Sequence, residues 1–227
     1  MAKKRITQEN IINAFLFSAF ENGAGASSLQ DISDILQIKK ASLYNHFESK
    51  DEMYAVTLDY CRMYLSNVNF IPDELREKPN LFDDSVQSVF KKIIKRFINI
   101  YEEEPCFQIY SFIHTEQYFN VSAMEIRKNE IEKIEEGFLF LIKGFVEAGK
   151  LKKLTPTELR STSAMMAAVV LQQMDLYIIQ KKETVRQNPE SGVGSLFALP
   201  TDDATMNSII KLFEIYIKFL PKNEPCE

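Results

Sequence analysis

The sequence predicts an all-α protein, and three observations predict it. Only seven glycines and eight prolines punctuate 227 residues, so few points break a helix. Between them, nearly every segment repeats apolar residues three and four apart, the period of a helix that buries one face. Helix-start signals recur: Ser49-Lys50-Asp51-Glu52 and Thr155-Pro156-Thr157-Glu158 each place a hydroxyl at the cap and a Glu three residues on, so that each side chain can bond the other's backbone amide.

The elements follow in order. Ile12, Phe15, Leu16, Ala19 and Phe20 make a first stripe, with Thr7 as N-cap and Gly23 where a carboxy-terminal cap belongs. Leu29, Ile32, Ile35 and Leu36 form a short second helix entered through Ser27 and Ser28. A third runs from Lys39 to Phe47, and a fourth starts at the Ser49 cap and runs toward Val68. Pro72 and Pro79 mark a loop. Val86, Val89, Phe90, Ile93, Ile94, Phe97, Ile98 and Tyr101 then keep helical spacing until Glu102-Glu103-Glu104-Pro105 stops them. A shorter helix spans Cys106 to Phe119. Ile131, Ile134, Phe138, Leu141, Ile142 and Phe145 mark a long one ended near Gly149. Pro156, at the first helical position, opens a helix that extends to Lys182. Asn188-Pro189, Ser191-Gly192 and Gly194 make residues 184 to 200 a long loop. Met206, Ile209, Ile210, Phe213, Tyr216, Ile217 and Leu220 form the last helix, closed by Pro221.

Composition narrows the function classes. The chain carries 27 Lys+Arg against 32 Asp+Glu, a net charge of -5, which is not the coat of positive charge that nonspecific nucleic-acid binding requires. With 45% apolar and 11% aromatic residues it can bury a core, which excludes a disordered chain. Cys61, Cys106 and Cys226 are widely spaced and lack Cys-x-x-Cys, so they read as buried thiols of a reducing compartment. The longest uncharged stretch, Ser161 to Met174, is shorter than the roughly 18 apolar residues of a spanning helix, so no transmembrane helix and no membrane partner are expected. Lys3, Lys4 and Arg5 ahead of Ile11 to Phe20 imitate a signal peptide. Glu9, Asn10 and Asn13 interrupt that run and Glu21 closes it, so it reads as an amphipathic helix of a cytoplasmic protein.

Catalysis finds few agents. His46 and His114 are the only histidines, no nucleophile motif is present, and neither an enzyme nor a cofactor or metal is expected. His114-Thr115-Glu116 imitates the His-x-Glu of zinc deaminases without a following Pro-Cys-x-x-Cys, and Gly192-x-Gly194 lacks the third glycine and the strand of a dinucleotide site.

Two short helices separated by a few residues, within the first fifty, have the spacing of a helix-turn-helix, whose second helix enters the major groove of DNA. The residues sharpen it: Gly23, Ser27, Ser28, Ile32, Ser33, Leu43, Tyr44, His46, Phe47, Ser49, Lys50 and Asp51. This pattern resembles the TetR family of transcriptional regulators, whose amino-terminal domain has Gly, two Ser/Thr, an Ile-Ala step, a turn, Leu-Tyr-x-His-Phe and Ser-Lys-Asp/Glu. The match covers residues 7 to 65; beyond it only the all-helical pattern and the helix lengths agree. The resemblance implies a three-helix helix-turn-helix DNA-binding domain over residues 1–50 and a larger helical ligand-binding and dimerisation domain over 51–227.

There are departures from the family pattern. Gln37 stands where the turn often has Gly, so it must accept a left-handed conformation or the turn is shaped differently. Ala41 stands where a second Gly is common, and Lys39 where Ser or Thr opens the recognition helix.

Each residue of the head then has a candidate role. Ser27 and Ser28 either cap the second helix alone or also offer hydroxyls to a phosphate. Lys39, Lys40, Ser42 and Asn45, with Ala41 among them, lie at the amino-terminal end of a short helix; Lys suits guanine acceptors and Asn suits adenine, and the alternative is a solvated surface. The resemblance implies phosphate contacts from Tyr44, His46 and Lys50. His46 reads alternatively as a satisfied core histidine, and Leu43 and Phe47 as core.

One helix-turn-helix covers too little groove for useful specificity, so such proteins pair as two-fold homodimers on a palindromic double-stranded operator. Where the resembled family builds its dimer interface, the last two helices offer Met165, Ala168, Val169, Gln172, Gln173, Ile210, Phe213 and Ile217; alternatively these stripes pack within one chain. The resemblance also implies a site for a small hydrophobic or aromatic effector among the central helices, with Phe97, Tyr101, Phe107, Tyr110, His114, Gln117, Phe138 and Tyr177 as candidates. At helical spacing such aromatics also read as core. The expected function is a repressor released by its effector. The alternatives are a DNA-binding regulator controlled by a protein partner or acting in chromosome organisation, and a helical interaction protein. The charge divides accordingly. Residues 1–50 hold six basic and five acidic groups, a net of +1, and the remaining 21 against 27 leave -6.

Overall fold

The computed structural model describes residues 6–78, 80–187 and 203–218. All regular structure in these residues is helical: α1 (Gln8–Asn22), α2 (Leu29–Ile35), a 3-10 helix (Lys40–Asn45), α3 (Lys50–Ser66), α4 (Asp73–Arg76), α5 (Val86–Glu102), α6 (Cys106–Glu116), α7 (Val121–Glu147), α8 (Pro156–Gln187) and α9 (Asp203–Lys218), with a 3-10 turn at Leu81–Asp83. The chain divides into two compact units, residues 1–68 with 103–129 and residues 69–102 with 130–227.

In the first unit, α1 begins where expected. Thr7 accepts from the Asn10 amide while Asn10 returns a bond to the Thr7 amide, and Gly23 ends the helix at φ 86°. Ile11, Phe15 and Leu16 are fully buried on its inner face. Phe15 packs edge-on against Phe112 of α6 at 5.8 Å and Tyr54 of α3 at 6.3 Å, and Phe20 against Phe107 at 5.2 Å. Edge-to-face rings add to the apolar burial that holds α1, α3 and α6 together. The Tyr54 hydroxyl donates to Glu116 at 2.6 Å, tying α3 to the end of α6. Burial first and this carboxylate second raise the Tyr54 phenol well above its ordinary range. Cys61 and Cys106 are buried thiols outside any disulfide, and burial pushes the Cys61 thiol up, which keeps it protonated and unreactive. Cys226 lies outside the described residues.

Several boundaries differ from the sequence expectation. The third element is a 3-10 helix, with Ser42 N donating to Lys39 O at 2.8 Å and His46 N to Leu43 O at 2.9 Å. Only Leu43 of its six residues is buried, so packing offers little to draw it into a longer α-helix. At the start of α3, Ser49 Oγ accepts from the Glu52 amide as expected, but Glu52 takes its return bond from the Glu48 amide instead of that of Ser49. α6 stops at Glu116, and α7 starts at Val121, ten residues before its apolar stripe shows in sequence. Asn120 Oδ1 accepts from the Ser122 and Ala123 amides and so caps the new helix.

The second unit is an aromatic core. Phe90 and Phe138 lie 6.0 Å apart, each meets Phe213 of α9, and Phe70 packs on Phe97 and Phe138. Phe82 lies so close to α7 that a Cβ at Gly144 would stand 2.0 Å from its Cζ, which explains a glycine in mid-helix. The Tyr101 hydroxyl donates to buried Glu130 at 2.6 Å, and Lys181 Nζ donates to Glu102 at 2.7 Å beside the Tyr177 hydroxyl. The Thr155–Glu158 capping box forms as expected and opens α8 at Pro156. Against the expectation that no helix would qualify, Pro156–Glu183 is long and apolar enough by composition to cross a bilayer, with a mean hydropathy of 1.3; half of that apolar window is buried in the protein. The expected loop at 184–200 is helical as far as Gln187, and its remainder, Gly192 and Gly194 included, lies outside the described residues, as do Leu220 and Pro221.

Candidate nucleic-acid interface

The turn that aims the recognition element is built without glycine. Gln37 adopts φ 54°, the left-handed conformation that was one of the two alternatives for a turn without glycine. Its amide donates to Asp34 O, and the next amide, of Ile38, reaches back to Ser33 O at 2.9 Å. The chain then leaves in an extended conformation at Lys39, φ -75° and ψ 138°, and enters the 3-10 helix. Leu43 and Phe47, at 2% and 4% exposure, anchor that helix in the core, as expected of both. Lys39, Lys40, Ala41, Tyr44 and Asn45 are exposed, and Ser42 is half-buried. Exposed basic and amide side chains on a short element held by one buried leucine can meet base edges and phosphates without unfolding the head.

The remaining head residues sort by burial. Ser28 is exposed and caps α2: its hydroxyl accepts from the Asp31 amide at 3.2 Å, while Asp31 accepts from the Ser28 amide at 2.7 Å. Those bonds, with a smaller push from the Lys50 charge, hold the Asp31 carboxyl below its usual range. The folded-state value is depressed, so this cap contributes stability above the ordinary carboxylate range and loses it on acidification. Ser27 differs. It is fully buried, and its hydroxyl donates to Gly23 O at 3.0 Å, so it holds the α1–α2 corner and has no hydroxyl to offer a phosphate. His46 is half-buried, which disfavours the reading as a core histidine, and its carbonyl accepts from Gln8 Nε2 at 3.2 Å. Lys50 Nζ donates to Gly25 O at 3.3 Å. Sequence reasoning missed Gln8 as the residue that ties α1 to the end of the recognition element; a lone Gln in a first helical turn gives no signal.

The dimer candidates separate. Met165, Ala168 and Gln172 are exposed on α8, and Val169 and Gln173 half-buried. Phe213 is 2% exposed and belongs to the core, because Phe90 and Phe138 close over it. Ile210 is half-buried, and the Ile217 side chain lies outside the described residues. Apolar side chains that sequence reasoning did not nominate are exposed on the same two helices: Leu176 and Ile179 on α8, Leu212 and Ile215 on α9. Their stripe was hidden because α8 and α9 are apolar on more than one face.

The effector candidates fall in both units. Phe107 and Tyr110 are buried in the first, with His114 and Gln117 half-buried; the Tyr110 and His114 ring centroids lie 3.5 Å apart with the rings tilted by 35°. Phe97, Tyr101, Phe138 and Tyr177 are buried in the second. Two cavities, of about 150 and 220 Å3, are lined by other residues: Asn13, Leu16, Phe17, Glu104, Pro105 and Gln108 around the first, Glu132, Glu135, Glu136, Leu139, Arg160 and Ser163 around the second. Among the described residues no group of three or more His, Cys, Asp or Glu is placed to hold a metal ion.

Comparison with known proteins agrees with this geometry. Residues 13–56 match the family model described as bacterial regulatory proteins, tetR family. The chain is 32% identical over 160 residues to the Staphylococcus aureus biofilm operon icaADBC HTH-type negative transcriptional regulator IcaR, covering 64% of this chain and 83% of that protein. Its fold is similar to a TetR-family regulator from Agrobacterium tumefaciens, with TM-score 0.59 at 15% identity over 92% of this chain and 96% of the other. It is also similar to the regulator FadR of Bacillus subtilis in complex with stearoyl-CoA, with TM-score 0.56 at 12% identity over 91% and 97%.

Proposed function

Since the chain belongs to the TetR family of bacterial regulatory proteins, we propose that this transcriptional regulator is a repressor: a homodimer that binds a palindromic operator in the cytoplasm and is released by a small hydrophobic or aromatic effector. The observation that carries the reading is the recognition element itself. Leu43 is 2% exposed while its neighbour Tyr44 is 53% exposed, with Lys39, Lys40, Ala41 and Asn45 exposed around it. A half-exposed phenol among two lysines and an amide offers donors for phosphate and base edges. Residues 1–50 supply the DNA-reading head, and 51–227 the sensing and pairing body.

Negative regulation is supported by the name of the staphylococcal relative. Pairing is supported by the exposed apolar side chains of α8 and α9: Met165, Leu176, Ile179, Leu212 and Ile215 are each more than a third exposed, and covering them with the same face of a second copy removes that area from water. Effector control is supported by the FadR complex, in which the same fold holds an acyl-CoA. In this reading the effector favours one of two arrangements of the body and so moves the two recognition elements away from the roughly 34–36 Å that one turn of DNA demands.

The test is selection of bound duplexes from a random-sequence DNA pool. The reading expects enrichment of a two-fold-symmetric site with half-sites about 10 bp apart or a multiple of it. A pool that emerges without a consensus contradicts it.

A further inference from the structure

We propose that the seam between α1 and α6 binds a small primary ammonium ion. The cavity of about 150 Å3 there is walled by Asn13, Leu16 and Phe17 of α1 and by Glu104, Pro105 and Gln108 at the start of α6. Two of these side chains hold buried amide oxygens, Asn13 Oδ1 and Gln108 Oε1, with no hydrogen-bond partner among the described residues. Gln108 is 4% exposed, and its Nε2 donates to Glu104 Oε1 at 3.3 Å, which orients the amide and leaves Oε1 as the open acceptor. A buried acceptor left unbonded bears the full desolvation of its group, so two beside one cavity mark a place where a donor belongs.

The acceptors around the cavity select the ligand. Every polar side chain around the cavity presents an acceptor: two amide oxygens and one carboxylate. The full charge of Glu104 exceeds the roughly half unit of positive charge at the amino end of α6, so the site favours a cation. An ammonium group carries three N–H donors and no acceptor, one donor for each of these groups. Leu16, fully buried, and half-buried Phe17 form an apolar wall for a short alkyl or aryl chain. Cavities of about this volume accept a guest the size of benzene, which limits that chain to a few carbons. Both walls belong to the same compact unit, and the inference stands apart from the DNA-binding reading.

The experiment is titration of the full-length protein with n-butylammonium chloride by calorimetry and ligand-observed NMR. Tetramethylammonium chloride, which has the charge but no N–H, and 1-butanol, which has the chain but no charge, run beside it. The expected result is saturable one-to-one binding of butylammonium, about tenfold or more tighter than either control, falling about tenfold or more in Gln108→Leu and in Glu104→Gln. Gln108→Leu removes an unbonded oxygen and one long bond to exposed Glu104 and puts an apolar group of similar size in their place, so its helical circular dichroism stays as in the parent; Asn13→Leu serves as a second variant. Equal binding of tetramethylammonium, variants that bind as the parent does, or no saturable binding, with water as the only occupant, overturns the proposal.

Discussion

Lys50 Nζ donates to the Gly25 carbonyl at 3.3 Å, so the first residue of α3 reaches back to the corner between α1 and α2. That bond uses one of three N–H donors and leaves the others for a phosphate beside the amino end of α2. Lys50→Gln is expected to weaken binding to every DNA sequence by a similar factor. The slope of log affinity against log salt should fall by about one per subunit. Anisotropy titrations at several salt concentrations check this. A variant that changes sequence preference and keeps the parent slope places Lys50 on a base instead.

Asn45 and Tyr44 sit side by side on the recognition element and are expected to behave differently. Asn45→Ala removes an amide suited to adenine and should relax preference at one base pair by about 1–3 kcal/mol. Tyr44→Phe removes only an exposed hydroxyl, the proposed phosphate donor, and should lower affinity without altering the ranking of sites. Competition with single-base operator variants separates the two.

The head was legible in the sequence because its anchors are local. The Thr7 cap, the Gly23 stop and the capping residues Ser28 and Ser49 stand within one helical turn of the groups they bond. At Gln37 the missing glycine left two readings, a left-handed residue or a differently shaped turn, and φ 54° is the first of them. Ser27 was not legible: its sequence neighbourhood suits a cap, and only the tertiary packing shows that the hydroxyl turns inward to Gly23 O. The start of α7 escaped because Asn120 caps it ahead of exposed Val121 and Met124, and because its buried face, Ala123, Ile126, Arg127 and Glu130, includes two charged residues that do not read as an apolar stripe. Phe213 reads in sequence as a dimer-interface candidate or as packing within one chain, and Phe90 and Phe138, which enclose it, decide for the second. Which face of a helix is apolar is written in its spacing; which neighbour covers that face is not.

Gln37 at φ 54° carries a side chain through a backbone region that favours glycine. Gln37→Gly is expected to stabilise the protein by about 1 kcal/mol, since the left-handed penalty of roughly 1–2 kcal/mol is partly offset by the greater freedom of glycine in the unfolded chain. Chemical denaturation monitored by circular dichroism measures it. A loss of stability means that the Gln37 side chain makes a contact worth more than the strain.

Gly144 accepts the Phe82 ring where a Cβ would stand 2.0 Å from Cζ. Gly144→Ala should therefore destabilise the second unit by about 1–3 kcal/mol despite the better helix propensity of alanine, through overpacking. Phe82→Leu in the same chain should recover part of the loss. Thermal melts of the single and double variants test it, and a Gly144→Ala protein as stable as the parent contradicts the packing described.

The most direct measurement of the central claim is anisotropy of the full-length protein on labelled duplex carrying the intergenic DNA beside its own gene, at about 0.15 M salt, with unlabelled random duplex as competitor. The account predicts binding by two subunits per duplex and selectivity of about 10³-fold or more over random DNA. Substitution of Lys40 and Asn45 together, the two side chains suited to base edges, should cut that selectivity by about tenfold or more. Binding that random DNA displaces as readily as the specific duplex, or selectivity unchanged by the double substitution, contradicts it.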